Sequence, residues 1–512
     1  MRRHIVACGV VIFWLATLAT AQQMATGIVF YDRNRNGIRD VGEPGIPNVL
    51  VSNQRDVVRT DKQGRYRLPV TEDTILFVIK PRGWQVPLDE RNLPQHYYIH
   101  KPNGSPKLRF LGVPPTGALP ESVDFALVPY REPERFTAAI IGDTQVRDVK
   151  EVGYLAQTIV RELMANKRIA FATVLGDIVF DDLSVFEPLN AVMAQVGTPW
   201  YPVMGNHDMN YDSLEDRYAD ETFERVYGTP YYAFEWGRVS FIVLDDVNWQ
   251  AGKYTAGLGE QQLAFVRNYL RHVPRSNLVV LLMHIPLWEL PESEQQQLFE
   301  SLAPFENTLS FSAHTHIQMH RFFTQEQGWL GARPHHHINA VTACGSWWTG
   351  VPDPLGIPHT TMRDGTPHGY LLAEFRGNRY TVRYKAVRRP DDYQMNIYLP
   401  DSIPAGELAN TQVLVNVFFG SERSRVEMRV GERGEWLPMT PTQQPDPAYA
   451  EVKKLEEQYT LPGRRLPGIL NSPHLWSANL PVNLPPGTHV LHVRTTDIWG
   501  QTWYDRRVFS VR

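Results

Sequence analysis

Five short motifs, each placed after an apolar run, decide the fold of this chain: Gly142-Asp143-Thr144-Gln145, Gly176-Asp177, Gly205-Asn206-His207-Asp208, Met283-His284 and Ala313-His314-Thr315-His316. The apolar runs are predicted to be buried strands and cover residues 138–141, 172–175, 200–204, 278–283 and 308–312. In an open α/β sheet, groups just past the carboxyl ends of the strands meet in one crevice. We therefore expect the polar residues of all five motifs to share one site.

The residue types in these motifs indicate a metal centre. Asp, Asn and His supply oxygen and nitrogen ligands suited to Mn, Fe, Zn or Mg. When several such ligands converge, one carboxylate can bridge two ions about 3.5–4 Å apart. Each motif alone also fits a structural role, because Gly-Asp is common in turns and a strand-end His is often simply hydrogen-bonded. Five motifs in this order favour the metal centre.

The order D-x-(H/Q), GDxxx(D/N), GNH(D/E), H, (G)HxH resembles the calcineurin-like metallophosphoesterases over about residues 135–385. The resemblance is greatest to bacterial members that have extra N-terminal and C-terminal β domains. It implies an α/β fold in which two sheets pack face to face, flanked by helices. Two positions depart from the family pattern: Gln145 replaces a common His ligand, and Ala313 replaces the usual Gly. Because an amide oxygen is a weaker donor than imidazole, the first ion is expected to be held less tightly.

The resemblance also implies a ligand set for two divalent ions. One ion would be bound by Asp143, Gln145, Asp177 and His316, and the other by Asp177, Asn206, His284 and His314. Asp177 is then the bridging carboxylate. Two such ions lower the pKa of a water molecule between them and supply hydroxide near neutral pH. This hydroxide would attack phosphorus in line.

Two further residues are predicted to be catalytic. In the family, the equivalent of His207 contacts the phosphate or protonates the leaving oxygen, and the acid that follows it, here Asp208, orients the ring. A His suits this task because its pKa lies near the working pH. The alternative is a structural His at a strand end. Asp181 is expected to support the site by hydrogen bonding rather than to bind metal.

Candidate substrate-binding residues follow the last motif. Trp347 and Trp348 are predicted to stack on a substrate group, and Arg363 to bind phosphate. The alternative is that both Trp side chains pack beneath their loop. His335-His336-His337 could bind metal, but we expect an exposed loop there.

Composition indicates an exported, multidomain globular protein. The 512 residues suggest about three domains. Residues 1–21 have the basic start, apolar stretch and small-residue cleavage site of a signal peptide.

Removing Arg2 and Arg3 changes the net charge from -4 to -6, which disfavours nucleic acid as an electrostatic partner. Cys344 is then the one remaining cysteine, so no intrachain disulfide is expected. We expect a periplasmic or extracellular location and no transmembrane segment after signal removal.

Residues 22–130 are predicted to form an N-terminal β-sandwich with a calcium-type loop. The segment 32–43 fits the pattern D-x-N-x-N-G-x5-E. Its predicted calcium ligands are Asp32, Asn34, Asn36, Ile38 through its carbonyl, Asp40 and Glu43. Strands rather than helices flank the loop, which resembles calcium-stabilised β-sandwich repeats of bacterial surface proteins. The alternative is a turn without metal. In either case we expect the loop to stabilise the domain rather than to act in chemistry.

The other predicted boundaries place the phosphoesterase domain at 131–390 and an immunoglobulin-like or fibronectin-like β domain at 391–512. Helical spacing of apolar residues predicts helices over 154–167 and 261–273, and a further helix is expected over 448–459.

We expect an exported phosphoesterase that hydrolyses a phosphate mono- or diester. The competing hypothesis is a surface or binding protein with calcium-stabilised β modules and an inactive phosphoesterase core.

Overall fold

The computed structural model describes residues 22–512. The predicted signal peptide, residues 1–21, lies outside the described residues. Thirty strands and seven α-helices are assigned within the described range. They form an α/β unit built on two sheets, with a β domain at each end of the chain. The predicted fold class is confirmed.

The N-terminal domain consists of two four-stranded sheets. Its strands are β1 (Met24–Tyr31), β2 (Leu50–Ser52), β3 (Val57–Arg59), β4 (Arg65–Pro69), β5 (Thr74–Ile79), β6 (Trp84–Gln85), β7 (Tyr97–His100) and β8 (Phe125–Pro129). They are ordered β4-β1-β8-β6 and β3-β2-β5-β7. Both faces of β5 are buried. Leu76 and Val78 pack inside the N-terminal domain, whereas Phe77 and Ile79 join the core of the central domain. This alternation attaches the two domains through one strand.

The central domain contains thirteen strands and six helices. The strands are β9 (Arg135–Ile141), β10 (Ile169–Leu175), β11 (Trp200–Val203), β12 (Tyr232–Trp236), β13 (Val239–Val243), β14 (Val247–Gln250), β15 (Lys253–Ala256), β16 (Leu278–Leu282), β17 (Asn307–Ser312), β18 (Met319–Phe323), β19 (His335–Asn339), β20 (Gly369–Arg376) and β21 (Arg379–Ala386). The helices are α1 (Val149–Leu155), α2 (Arg161–Ala165), α3 (Phe186–Met193), α4 (Glu221–Tyr227), α5 (Gly259–Leu270) and α6 (Glu292–Leu302). All five strands predicted before the motifs are present.

Two sheets form the frame of this domain, with strand orders β11-β10-β9-β20-β21 and β12-β13-β16-β17-β19-β18. Strands β9, β10 and β11 are parallel, as are β13, β16, β17 and β19. Strand β9 shows how the layers are built. Ala138 and Ile140 face the core between the sheets, and Ala139 and Ile141 face the helices. Parallel strands covered on both faces need such continuous apolar runs.

The helix predicted at 154–167 begins earlier, at Val149. The Asp148 side chain accepts a hydrogen bond from the Glu151 backbone N–H and caps this end. A π-helical turn, Ala156–Val160, then joins α1 to α2. The helix predicted at 261–273 corresponds to α5, which begins two residues earlier.

The prediction of an exposed loop at His335-His336-His337 is wrong. These residues form β19, a buried strand paired with β17 on one side and β18 on the other. Their polar rings are accommodated because each ring nitrogen finds a hydroxyl or imidazole partner, and all but the Tyr380 hydroxyl come from the same sheet.

The C-terminal domain is a β-sandwich with one inserted helix. Its elements are β22 (Met395–Tyr398), β23 (Ser402–Ile403), β24 (Gln412–Val417), β25 (Arg425–Val430), β26 (Leu437–Pro438), β27 (Thr440–Thr442), α7 (Pro447–Gln458), β28 (Leu475–Asn479), β29 (Gly487–Thr496) and β30 (Thr502–Val511). The sheets are ordered β22-β24-β28-β27 and β23-β30-β29-β25-β26. The helix expected at 448–459 is α7, and Asp446 caps it through the Tyr449 N–H. Across residues 22–512, no helix combines the length and apolar character needed to span a bilayer.

One prediction concerns the buried ion pair between the first two domains. The Lys80 ammonium lies 2.5 Å from the Glu132 carboxylate, and both side chains are 3% exposed. Lys80→Met leaves Glu132 buried without its cation and should lower the free energy of unfolding by about 3–5 kcal/mol. The matched control is Arg135→Met, which breaks the exposed pair with Glu374 and should cost less than about 1 kcal/mol. Urea unfolding would measure both, and equal losses would contradict the prediction.

Candidate metal centre

The residues of all five motifs meet at one edge of the two sheets. Asp143 and Gln145 follow β9, Asp177 follows β10, and Asn206 follows β11. From the second sheet, His284 follows β16, and the loop after β17 supplies His314 and His316. The parallel strands of each sheet end on the same side, so distant parts of the chain converge there.

The backbone of the centre is strained at the ligand positions. Gln145, Asp177, His314 and His316 have φ values of 39°, 47°, 65° and 52°. Non-glycine residues rarely adopt this left-handed region, and each costs of order 1–3 kcal/mol. Two glycines permit the close approach of the loops. A Cβ at position 205 would lie 2.0 Å from the Asp177 nitrogen, and one at position 176 would lie 2.5 Å from His284 Nδ1.

One group of ligand atoms surrounds His284. Its Nε2 lies 3.3 Å from Asp177 Oδ1, 3.1 Å from Asn206 Oδ1 and 3.1 Å from His314 Nδ1. The ligand atoms of Asp177, His284 and His314 all lie within 4.8 Å of one another. The other nitrogen of His284, Nδ1, lies 2.8 Å from the Leu175 carbonyl, which orients the ring. This spacing suits one divalent ion.

The second group contains Asp143, His316 and Gln145. Asp143 Oδ2 and His316 Nε2 are both buried and lie 2.9 Å apart, so each is the close polar neighbour of the other. A buried carboxylate oxygen and an imidazole nitrogen that converge in this way fit a bound cation. The Gln145 amide nitrogen donates to Asp177 Oδ2 (2.8 Å), so the amide must turn for its oxygen to bind an ion.

The electrostatics of the centre also favour cations. Asp143 and Asp177 are 0% and 1% exposed, and no Lys or Arg of residues 22–512 forms an ion pair with either. Burial alone would lower the pKa of His284, but the Asp177 carboxylate raises it to about 10. Burial, helped by His284, lowers the pKa of His314 to about 4. Metal ligation requires neutral imidazole, so an ion would replace the proton on His284.

His207 lies beside this centre with its ring held by neighbours other than Asp208. Its Nδ1 lies 2.5 Å from Asp181 Oδ1 and 3.2 Å from the Tyr211 hydroxyl. Its ring stacks on Phe180 with centroids 4.2 Å apart. Burial lowers the pKa of His207, but the carboxylates of Asp177 and Asp181 outweigh this effect and raise it.

The prediction that Asp208 orients the His207 ring is wrong. The Asp208 carboxylate accepts backbone N–H groups from Gly205, Ile178 and Val179 at 2.9–3.1 Å. Asp208 therefore holds the loop after β10 against the loop after β11. The carboxylate that orients the His207 ring is that of Asp181. Burial raises the pKa of Asp208 to about 7.

The three predicted substrate residues have different surroundings. The half-buried Trp347 stacks on His316 with centroids 4.2 Å apart and borders the centre. Trp348 is 1% exposed and donates from Nε1 to the Thr144 carbonyl, so its predicted contact with substrate is wrong and it packs beneath the loop. Arg363 Nε donates to the Gly468 carbonyl (3.0 Å) of the C-terminal domain rather than to any residue of the centre.

Two residues that support the centre were not predicted from the sequence. Asp246 follows β13 and accepts from the backbone N–H groups of His284 and Ile285. Its position just after an apolar strand is the same signal that marks the predicted ligands. Arg147 lies 4.1 Å above the Phe180 ring and donates to the Trp347 carbonyl. Nothing in the local sequence marks Arg147, because its partners are distant in the chain.

Three family models match parts of this chain. The family model described as calcineurin-like phosphoesterase matches residues 136–318 of this chain. Those described as the N terminal and the C terminal of calcineurin-like phosphoesterase match residues 33–111 and 337–503. No curated protein matches the chain.

Solved structures with some likeness include a purple acid phosphatase from yellow lupin (Lupinus luteus) seeds, at 12% identity and a TM-score of 0.35, covering 71% of each chain. A metallophosphoesterase from Sphaerobacter thermophilus has 16% identity and a TM-score of 0.24, covering 49% of this chain and 89% of that one. Vps29 from Chaetomium thermophilum has 8% identity and a TM-score of 0.21, covering 73% and 98%. All three TM-scores are low, so the family assignment rests on the matches to the family models.

The fold, the convergent ligands and the family matches together define a metal-dependent phosphoesterase. The chain belongs to the calcineurin-like phosphoesterases, hydrolases that act on phosphoric ester bonds.

The packing of Gly205 yields a test of the centre. Gly205→Ala would push the added methyl group into the Asp177 backbone and displace the predicted bridging ligand. We expect metal binding to fall at least tenfold, measured by metal analysis after dialysis. The control is Gly153→Ala in α1, where no heavy atom lies within 4 Å of the added methyl group. Retention of wild-type metal content by Gly205→Ala would contradict the assignment.

Proposed function

We propose that this protein is an exported phosphoesterase that uses two divalent ions to hydrolyse a phosphate mono- or diester. The main support is the buried pair of converging ligand atoms, Asp143 Oδ2 and His316 Nε2, beside the group formed by Asp177, His284 and His314. Export is supported by the sequence pattern of residues 1–21. Cell fractionation would test it, and retention of the unprocessed chain in the cytoplasm would contradict it.

The resemblance to the calcineurin-like metallophosphoesterases supports a division of the ligands between two ions. Asp143, Gln145, Asp177 and His316 would hold one ion, and Asp177, Asn206, His284 and His314 the other. When bound, a pair of Mn, Fe, Zn or Mg ions lowers the pKa of water and neutralises charge on phosphate oxygens. Asp177 suits the bridging position because its two carboxylate oxygens face different groups of proposed ligands. Oδ1 lies near His284, and Oδ2 accepts from Gln145.

His207 is proposed to handle the leaving-group proton. Asp181 and Tyr211 engage Nδ1, which leaves Nε2 as the nitrogen for substrate. The raised pKa of His207 favours the protonated ring, which can give a proton to the departing oxygen. Stacking on Phe180 fixes the plane of the ring. Asp181 is therefore a positioning residue for His207.

The substrate is proposed to lie between His207 and Trp347. Arg147 links the two sides of this space, since its guanidinium covers Phe180 and donates to the Trp347 carbonyl. Trp347 offers an aromatic surface next to His316 for the organic part of the ester. A planar or sugar-containing leaving group fits this surface.

Hydrolysis of nitrophenyl phosphate and its bis-ester, together with metal analysis, would test the proposal. We expect two transition-metal ions per chain and turnover of at least one ester. His207→Gln should retain both ions and lower kcat by about 10²–10⁴-fold, because the proton donor is lost. Trp347→Ala should raise KM with less effect on kcat.

The matched control is His489→Gln, in the C-terminal domain, where the imidazole lies 2.7 Å from the Pro485 carbonyl. It should leave kcat and KM unchanged. Two bound ions without turnover of either ester would favour the competing hypothesis of an inactive core in a binding protein. A chain that binds no transition metal would refute the proposal.

We also propose that the loop at residues 32–43 binds Ca²⁺. The Asp32 carboxylate is 1% exposed and accepts from the backbone N–H groups of Arg35 and Gly37. Glu43 closes the loop by accepting from Arg33 and Asp40. The amides of Asn34 and Asn36 both donate to Asp40 Oδ2, at 2.7 and 2.9 Å. The side chains of five of the six predicted positions, together with the Ile38 carbonyl at the sixth, thus supply an oxygen-rich loop.

This calcium assignment predicts a stabilising effect of Ca²⁺ alone. Millimolar Ca²⁺ should raise the unfolding temperature of the metal-free chain, because the folded loop binds it and the unfolded chain does not. Glu43→Gln should abolish most of this shift, and Glu72→Gln, an exposed acid of the same domain, should retain it. Differential scanning calorimetry would measure the shift. The same response in both variants would contradict the calcium site.

A further inference from the structure

A continuous row of buried polar side chains runs along β17 and β19 to the metal centre. The two strands are parallel, and Ser310 pairs with His337 while Ser312 pairs with Asn339. Because side chains alternate along a strand, every second residue of each strand faces the same side. The row, called here the Ser/His chain, consists of Thr308, His335, Ser310, His337, Ser312 and Asn339, and each member is at most 8% exposed.

The hydrogen bonds of the Ser/His chain are unbroken. His335 lies between two hydroxyls, with Nδ1 2.8 Å from Thr308 Oγ1 and Nε2 2.8 Å from Ser310 Oγ. His337 likewise lies between two hydroxyls, with Nδ1 2.6 Å from Ser310 Oγ and Nε2 2.7 Å from Ser312 Oγ. Ser312 Oγ is in turn 2.8 Å from Asn339 Oδ1. The Asn339 amide nitrogen then donates to Thr315 Oγ1 (2.7 Å) and to the Ile317 carbonyl (2.6 Å).

The Asn339 amide fixes the direction of the hydrogen bonds at its own end of the Ser/His chain. The Ile317 carbonyl can only accept, so the Asn339 nitrogen must face it and the Asn339 oxygen must face Ser312. Ser312 therefore donates to Asn339 and accepts from His337 Nε2–H. When His337 is neutral, its Nδ1 accepts from the Ser310 hydroxyl, and Ser310 in turn accepts from His335 Nε2–H. Neutral His335 and His337 thus both carry the proton on Nε2.

The surroundings of the two imidazoles keep water away from the Ser/His chain. His337 packs edge-on against Trp288, and His335 contacts Phe299 and Trp329, with centroids 5.1–6.3 Å apart. Burial lowers the pKa of His335 to about 3 and that of His337 well below its usual range, and the Arg321 charge adds to the effect on His337. A second proton on Nδ1 of either ring would leave the Thr308 or Ser310 hydroxyl hydrogen without its acceptor.

The end of the Ser/His chain lies within the ligand loop. Thr315 separates His314 from His316, and both His residues have left-handed backbone conformations. Ile317 is the next residue beyond the pair. The two hydrogen bonds from Asn339 therefore reach the residues on either side of His316, and the first of them, Thr315, also adjoins His314. They offset part of the backbone strain at these ligand positions.

We propose that Asn339 is a positioning residue for both metal ions, and that the Ser/His chain holds its amide in the orientation that the ligand loop requires. The inference rests on the proposed function, because His314 and His316 belong to different ions. Local sequence offers no reason for five buried hydroxyl and imidazole groups on two core strands. Their role in orienting one amide supplies that reason.

Metal affinity tests the proposal without relying on turnover. Mn²⁺ titration of the metal-free chain should show affinity about 10–100-fold weaker in Asn339→Leu and, to a smaller extent, in Ser312→Ala. Thr315→Val should also bind more weakly, whereas Thr315→Ser, which keeps the hydroxyl acceptor, should restore affinity. The control is Ser240→Ala on β13 of the same sheet, a buried serine whose hydroxyl accepts from Asn277. Wild-type Mn²⁺ affinity in folded Ser312→Ala and Thr315→Val would overturn the proposal, even if Asn339→Leu fails to fold.

Neutron diffraction of the metal-free chain supplies a second test that is independent of the proposed function. We expect deuterium on Nε2 and none on Nδ1 of both His335 and His337. Deuterium on Nδ1 of either ring would overturn the stated direction of the hydrogen bonds. If the wild-type chain binds no transition metal, the phosphoesterase proposal fails, while the neutron result still decides whether the Ser/His chain orients Asn339.

Discussion

The structure depends on two carboxylates, Asp143 and Asp177, that are buried at the edge of two sheets without a Lys or Arg partner in the described residues. An isolated buried charge is costly, so such groups are either neutralised or paired with cations. Here the nearest neighbours are imidazoles that are themselves good metal ligands. The left-handed backbone at four ligand positions shows that the fold accepts local strain to bring these groups together.

Residues that touch no substrate maintain this arrangement by binding backbone groups. Asp208 accepts N–H groups from the loops after β10 and β11, and Asp246 accepts those that follow β16. Asn339 performs the corresponding task for the loop after β17. The ligand loops after β10, β16 and β17 are thus each held by a buried side chain that comes from a different part of the chain. Rigid ligand loops are expected where ions must be held at a short and fixed separation.

The flanking β domains are continuous with the catalytic domain rather than loosely attached to it. Phe77 and Ile79 of β5, and Phe418 and Phe419 that follow β24, all belong to the same buried apolar cluster as strands and helices of the central domain. Arg464 of the C-terminal domain pairs with Glu151 and donates to the carbonyls of Trp347 and Trp348. The C-terminal domain therefore supports the loop that borders the metal centre. Removing either domain would expose apolar surface of the catalytic domain.

The sequence by itself determined the layered α/β class, the five strand ends and the set of candidate ligands. Apolar runs specify buried strands, and the polar residue after each run can only lie at the strand end. Only the tertiary structure decided that Asp181 rather than Asp208 holds the His207 ring, that Trp348 is buried, and that His335 and His337 lie in a core strand. The physical reason is that a hydrogen-bond partner depends on side-chain direction and on the meeting of distant segments. Local residue order specifies neither of these.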